Sequence, residues 1–154
     1  MSAQAPDDEL RAIEREIRAG NYAAVEKRAA QAVKAQPASA FAQHLLGASL
    51  HGQGQLDRAI ACYRKSAQLD AGSAELQRDL GFALLEKGRP KEAIDSFEAA
   101  LRLEPADDVA CTGLATALRD LGVVDAARRT FQRALRLRVR RWLLAPFRIF
   151  KGKT

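Results

Sequence analysis

The sequence predicts an all-α protein built from four helix-turn-helix repeats, with a basic and aromatic C-terminal extension. Three observations lead to this fold class. Glycines recur at intervals of 34 residues without an insertion, at Gly20, Gly54, Gly88 and Gly122. Within each interval, apolar and small residues recur at the spacing of one helix face. No segment shows the alternating pattern of a strand, so nothing in the sequence favours a sheet.

The glycine spacing places the repeats at 6–39, 40–73, 74–107 and 108–141. Residues 1–5 are expected to be disordered, and residues 142–154 form a tail. The first helices are predicted near 7–19, 41–53, 75–87 and 109–121, and the second helices near 22–35, 56–69, 90–103 and 124–137. Repeat 4 has Val139 where a proline would end its second helix. We therefore expect this helix to continue toward Ala145 and to stop before Pro146.

Glycine and proline mark the predicted helix ends. The shared glycine is expected to cap each first helix in a left-handed conformation, which costs least without a Cβ atom. Pro90 lies where a proline can begin a helix without losing a hydrogen bond. Pro37 and Pro105 are expected to end second helices, because the residue before a proline avoids the helical conformation.

Small and aromatic residues recur at positions where helices should meet. Small residues are expected to let the two helices of a hairpin approach closely, at Gly47, Gly81, Ala59 and Ala93. Aromatic residues at position 24 of a repeat are expected to fill the space between neighbouring hairpins, at Tyr63, Phe97 and Phe131.

The segments LLGASLHGQGQLDRAIACYRKSAQLD and DLGFALLEKGRPKEAIDSFEAALRLEP resemble the tetratricopeptide repeat family. They share its Leu-Gly pair, its alanine, its aromatic residue and, in the second, its proline. Repeat 4 matches with Ala115 in place of the glycine, whereas repeat 1 departs at Ala12, Ile13 and Glu16, as a terminal repeat can. The resemblance implies a right-handed superhelical solenoid whose concave groove, lined by the first helices, binds peptides or helices of partner proteins.

One stripe of the first helices, about 130° from the core stripe, should face this groove. It carries large apolar residues and isolated cations where a solvated face would prefer lysine or glutamate. Arg78 and Arg119 could each bind a carboxylate of a partner. The alternative is that some of these side chains pack between repeats. The predicted partner-binding residues are Leu10, Phe41, His44, His51, Arg78, Phe82, Leu85, Thr112 and Arg119.

One specific family function is not supported by the groove residues. Relatives that bind the C-terminal carboxylate of heat-shock chaperones use lysine, arginine and asparagine at five groove positions. In one register these positions are Leu10, Glu14, Leu45, Glu75 and Asp79, and in the next they are His44, Ala48, Asp79, Val109 and Gly113. Neither set supplies the donors, so we expect no such clamp.

The tail is the most basic part of the chain. Residues 136–154 contain seven lysines and arginines and no acid, whereas residues 1–135 are nearly neutral. The tail is expected to cap the last hairpin, with Trp142 buried near Phe131 and Leu135. The alternatives are contact with an anionic membrane surface, a partner protein or a second copy. These contacts would use Arg140, Arg141, Trp142, Leu143, Phe147 and Phe150. Terminal rather than distributed charge disfavours nucleic acid as a partner.

No catalytic, metal or cofactor site is expected. His44 and His51 are two possible ligands, whereas a zinc site needs three or four. Cys62 and Cys111 are expected to be free thiols. The chain shows neither a secretion signal nor an apolar run long enough to span a bilayer. The sequence therefore predicts a non-enzymatic cytoplasmic adaptor that binds a protein or peptide. The alternatives are a peripheral membrane scaffold and a non-catalytic domain of a larger protein.

Overall fold

The computed structural model describes the backbone of residues 4–149 and the side chains of residues 7–143. Within these residues it consists of eight α-helices and contains no strand. The helices are α1 (Gln4–Arg18), α2 (Tyr22–Ala35), α3 (Ala40–Gly52), α4 (Leu56–Leu69), α5 (Ala74–Glu86), α6 (Pro90–Leu103), α7 (Asp108–Asp120) and α8 (Val124–Ile149). The predicted all-α repeat architecture is confirmed.

The helices form four antiparallel hairpins that stack into a solenoid. Each odd-numbered helix packs on the even-numbered helix that follows it, and α2, α4 and α6 each pack on the first helix of the next hairpin. The first helices α1 and α3, and likewise α5 and α7, also contact one another. The odd-numbered helices therefore lie side by side and form one face of the solenoid.

The four recurring glycines end the first helices as predicted. Their φ angles are 83°, 73°, 77° and 78°, in the left-handed region. At Gly54, the backbone N–H donates to the carbonyl of His51 at 2.9 Å, and the N–H of Gln55 donates to the carbonyl of Leu50 at 2.9 Å. This pair of hydrogen bonds recurs at all four glycines and satisfies carbonyls that the helix end would leave unpaired.

Side chains at the last position of a repeat cap the first helix of the next repeat. Ser39 accepts a hydrogen bond from the N–H of Ala42 at 3.1 Å, and Ser73 occupies the same position before α5. Asp107 accepts from the N–H groups of Val109 and Ala110, each at 2.9 Å. Because these residues are 34 apart, every hairpin joint is stabilised in the same way.

Phe97 joins the third and fourth repeats. It is fully buried and lies between glycines of two different helices. A Cβ atom at Gly81 of α5 would lie 2.8 Å from its ring, and one at Gly113 of α7 would lie 2.3 Å from it. Tyr63 packs in the same way against Gly47. The expected close packing is therefore confirmed at Gly47 and Gly81, where an aromatic ring fills the space that a side chain would occupy.

The two ends of the chain differ from the sequence prediction. Residues 1–3 of the segment expected to be disordered lie outside the described residues, while residues 4 and 5 already belong to α1. At the other end, α8 continues through Pro146 to Ile149. The expected stop before the proline is wrong. A proline removes one backbone N–H and crowds the carbonyl four residues before it, which kinks or destabilises a helix without always ending it, and no glycine follows Gly122 until after α8.

The prediction that the tail caps the last hairpin is also wrong for the described residues. Trp142 is 75% exposed, and Phe131 and Leu135 are 56% and 53% exposed. Since α8 is continuous to Ile149, the described part of the tail has no break at which it could fold back over these side chains. Phe131 consequently lacks the neighbouring hairpin that covers Phe97.

Candidate functional site

The N-terminal half of the face formed by the odd-numbered helices contains two adjoining clefts. The first has a volume of about 350 Å³ and lies between α1, α3 and the start of α5. Its exposed apolar centre is Phe41, which is 39% exposed. The second cleft, of about 390 Å³, lies further along the same helices and shares Ile17 and Ala48 with the first. The two clefts together form a groove across the first helices.

The groove histidines are bound to the neighbouring repeat. Nε2 of His44 lies 2.7 Å from Oδ2 of Asp79, and Nε2 of His51 lies 2.7 Å from Oε2 of Glu86. Each pair spans 35 residues, one repeat plus one position. A carboxylate accepts only from a protonated nitrogen, so both rings carry a proton on Nε2. These pairs connect α3 to α5 along the floor of the groove.

Tyr63 lies within hydrogen-bonding distance of His51, the histidine of the second pair. Burial raises the pKa of its hydroxyl above the ordinary value, with smaller contributions from nearby carboxylates. The hydroxyl therefore stays protonated, and its oxygen lies 3.4 Å from Nδ1 of His51. The phenol can donate to that nitrogen while Nε2 donates to Glu86, which holds the imidazole ring in one orientation.

Arg78 connects the third repeat to the fourth. Its guanidinium donates to Oδ2 of Asp107 at 2.9 Å, and the Asp107 side chain is only 4% exposed. Partial burial lowers the pKa of Arg78, but the hydrogen bond to Asp107 and neighbouring carboxylates outweigh it and raise the pKa overall. The positive charge of Arg78 is therefore already balanced by a carboxylate of the same chain. Arg119 is exposed and pairs with the adjacent Asp120 at 3.1 Å.

The structure separates the predicted groove residues into three groups. Phe41 and Arg119 are exposed. Six are half-buried: His44, His51, Arg78, Phe82, Leu85 and Thr112. Leu10 is 3% exposed, so its expected place in an open groove is wrong: it packs in a core cluster with Ala42 and Leu45, and α3 covers it. Phe82 turns partly inward, with its ring centre 5.0 Å from that of Phe97.

The groove also has an acidic rim, which the sequence pattern was not used to predict. Glu14, Asp70 and Glu75 line the first cleft together with Phe41 and one cation, Arg18, and Glu86 lines the second. Glu14 is paired with Arg18, whereas Glu75 is exposed at the start of α5. Glu14 and Glu75 lie on the same sequence stripe as the selected residues, so their charge could have been recognised. This half of the groove therefore carries more acidic than basic side chains.

The basic tail is partly bound to the chain itself. Arg138 and Arg141 each place a guanidinium nitrogen 2.9 Å from the carboxylate of Asp108, whose side chain is 4% exposed. Arg140, Trp142 and Leu143 are exposed. Of the remaining predicted tail contacts, the side chain of Phe147 and the whole of Phe150 lie outside the described residues.

The described part of the chain offers few groups for other chemistry. No cluster of three or more histidine, cysteine or acidic side chains suitable for a metal ion occurs in it. Cys62 and Cys111 are free, and burial raises the pKa of both thiols above the ordinary value. None of the described helices combines the length and apolar character that crossing a bilayer requires.

The structure is similar to known helical repeat proteins. MamA superposes with a TM-score of 0.83 at 20% identity, over 89% of this chain and 80% of MamA. MamA of MSR-1 gives 0.77 at 24% identity, over 91% and 82%. The second tetratricopeptide repeat domain of Spaghetti (RPAP3), bound to the HSP90 peptide SRMEEVD, gives 0.63 at 26% identity, over 64% of this chain and 92% of that domain.

Family models agree with these structural similarities. Two tetratricopeptide repeat models match, one at residues 38–105 and the other at residues 84–140. Among curated proteins, no sequence matches this chain significantly. The matched ranges contain three of the four glycine caps, the small-residue contacts and the aromatic residues described above. The chain therefore belongs to the tetratricopeptide repeat family of protein-interaction scaffolds.

Proposed function

We propose that the concave groove binds a basic, partly apolar segment of a partner protein. The observation that carries the proposal is the exposed ring of Phe41, which lies in an open cleft with an acidic rim. An apolar side chain of the partner would cover this ring. Lysine or arginine residues beside it would meet Asp70 and Glu75, since Glu14 is already paired with Arg18. In this proposal the chain acts by shape and charge, without a cofactor or turnover.

Contacts between repeats support a preformed groove. His44 and His51 tie α3 to α5, and Arg78 ties α5 to the start of α7. These side chains are half-buried and already paired, so they act as supports of the surface rather than as free binding groups. A surface that is held in place before binding loses less conformational entropy when a partner docks, which favours affinity.

The comparison with Spaghetti supports a peptide as the ligand of this chain. The charge of that peptide should, however, be opposite to the charge of the peptide bound to Spaghetti. The peptide bound to that domain, SRMEEVD, contains three acidic residues. In this chain the corresponding carboxylate-binding positions are apolar or acidic, including Leu10, Glu14 and Glu75. An acidic peptide would be repelled there, whereas a basic peptide would be attracted.

A charge reversal at Glu75 is expected to weaken binding of peptides selected from a displayed peptide library against the wild-type chain. The selected peptides should combine lysine or arginine with an aliphatic or aromatic residue. Glu75→Lys and Phe41→Ala should each cost about 1–3 kcal/mol of binding free energy. Because both side chains are exposed, the melting temperature should change little. Fluorescence anisotropy of labelled peptide measures the affinity.

Glu98→Lys provides the matched control, because Glu98 is exposed on α6, outside the groove. This variant should bind as tightly as the wild type. Selection of acidic peptides, or an equal loss of affinity at Glu98 and Glu75, would show that the acidic groove is not the binding surface.

A further inference from the structure

The outer face of α8 carries a long apolar stripe that the described part of the chain leaves uncovered. Its residues recur every three, four or seven positions and therefore share one side of the helix. They are Val124, Phe131, Leu135, Val139 and Trp142, with exposed fractions of 58%, 56%, 53%, 47% and 75%.

The equivalent face of α6 indicates what kind of structure can cover the stripe of α8. Phe97 and Leu101 of α6 occupy the repeat positions of Phe131 and Leu135, yet they are only 0% and 9% exposed. The difference is that α7 packs on α6. In the same way α3 packs on α2, and α5 packs on α4. At each of these three joints the occupant of this face is an α-helix, so the face of α8 has the shape for one more helix.

A cleft between α7 and α8 marks the place of that helix. It has a volume of about 340 Å³, and its walls include the small residues Ala115 and Ala127 and the ring of Phe131. Arg119 and Arg128 line the same cleft. Arg128 replaces the Ile94 of the preceding repeat, and no acidic residue follows Asp125 in the sequence. The cleft is therefore apolar in its centre and positive at its edges.

A second copy of this chain is a poor occupant. The exposed positions of α1, at the other end of the solenoid, are charged: Asp7, Asp8, Glu9, Arg11, Arg15 and Arg18. Head-to-tail stacking would place these charges on the apolar stripe. Two copies joined through α8 would instead bring their arginines together, which is repulsive. A membrane surface fits less well than a helix, because Arg119 and Arg128 lie on the walls of a cleft between two helices.

We propose that this cleft is a second binding surface, which takes an acidic amphipathic helix of a partner protein. The apolar side of that helix covers Phe131, Leu135 and Trp142. A small residue of the helix lies opposite Phe131, as Gly113 lies opposite Phe97. Its carboxylates lie near Arg128. The surface is separate from the groove around Phe41.

The chain contains one tryptophan, Trp142, which reports directly on this surface. The probe is a stapled helical peptide with the sequence of residues 107–121, carrying Cys111→Ser, because α7 is the helix that covers Phe97. In the free protein, emission should be that of a solvent-exposed indole. The peptide should shift the emission to the blue in a saturable manner. A peptide that also carries Gly113→Leu should fail to do so.

Protein variants locate the binding site. Phe131→Ala and Arg128→Glu should each weaken peptide binding by about tenfold or more. Arg129→Glu, which makes the same charge change on a neighbouring exposed residue outside the cleft, should not. Phe41→Ala should leave this binding unchanged while it weakens binding in the groove. The two proposed binding surfaces can therefore be disproved independently.

Four outcomes would overturn the proposal. The first is unchanged Trp142 emission at peptide concentrations up to about 1 mM, and the second is equal binding of the Gly113→Leu peptide. The third is an emission shift that phosphatidylglycerol vesicles cause but the peptide does not. The fourth is an emission shift that depends on protein concentration alone. The third outcome would assign the stripe to an anionic membrane, and the fourth to self-association.

Discussion

Phe97→Ala is expected to lower the free energy of unfolding by about 3–5 kcal/mol. Phe97 is fully buried and its ring lies between Gly81 of α5 and Gly113 of α7. Its removal would leave a cavity at the joint between the third and fourth repeats. Gly81 and Gly113, on either side of the ring, have no side-chain atoms that could move in to fill that cavity. Urea denaturation followed by circular dichroism measures the loss.

Phe131→Ala is the matched control for this prediction. Phe131 occupies the same position in its repeat, but it is 56% exposed because no hairpin within the described residues packs on it. We expect its substitution to cost about 0.5 kcal/mol or less. Similar losses at the two positions would mean that α8 is covered in solution in the way that α6 is.

Gly81→Leu is expected to lower the free energy of unfolding by about 2–3 kcal/mol. Even the first atom of the new side chain would lie 2.8 Å from the ring of Phe97, closer than van der Waals contact allows. Leucine is a better helix former than glycine, but that gain is under about 1 kcal/mol and offsets only part of the clash. A melting curve compares the variant with the wild type.

Gly72→Leu makes the same change where space is available. A Cβ atom there would lie 3.6 Å from Oδ1 of Asp70, an ordinary contact, so we expect little effect. Combining Gly81→Leu with Phe97→Ala tests the cause, because the leucine should cost less once the ring is absent. An undiminished cost in that background would show that the clash with Phe97 is not the reason for the destabilisation.

The helix ends could be predicted from the sequence because local residues determine them. A glycine at φ near 80° ends each first helix, and Pro90 begins α6. The last second helix begins at Val124 as predicted, but its end was not predicted correctly. No residue between Val124 and Ala145 opposes a helix, so the repeat boundary at 141 has no structural counterpart in α8.

Exposure could not be predicted in the same way, because it depends on neighbouring helices. Phe97 and Phe131 look equivalent in the sequence, yet only Phe97 is covered by a following hairpin. Leu10 lies on the groove stripe of α1, but α3 covers it. The pairing of His44 with Asp79 was also not predicted. It requires the register between two repeats, which a pattern within one repeat does not contain.

Site-specific photocross-linking tests most directly whether the concave groove is the partner-binding surface. Benzoylphenylalanine would replace Phe41 in the groove and, in a second variant, Glu98 on the exposed side of α6. Both positions are exposed and should accept the larger ring without loss of stability. We expect a covalent adduct with a partner protein from position 41 and none from position 98. Adducts of equal yield from both positions, or from position 98 alone, would contradict binding in the groove.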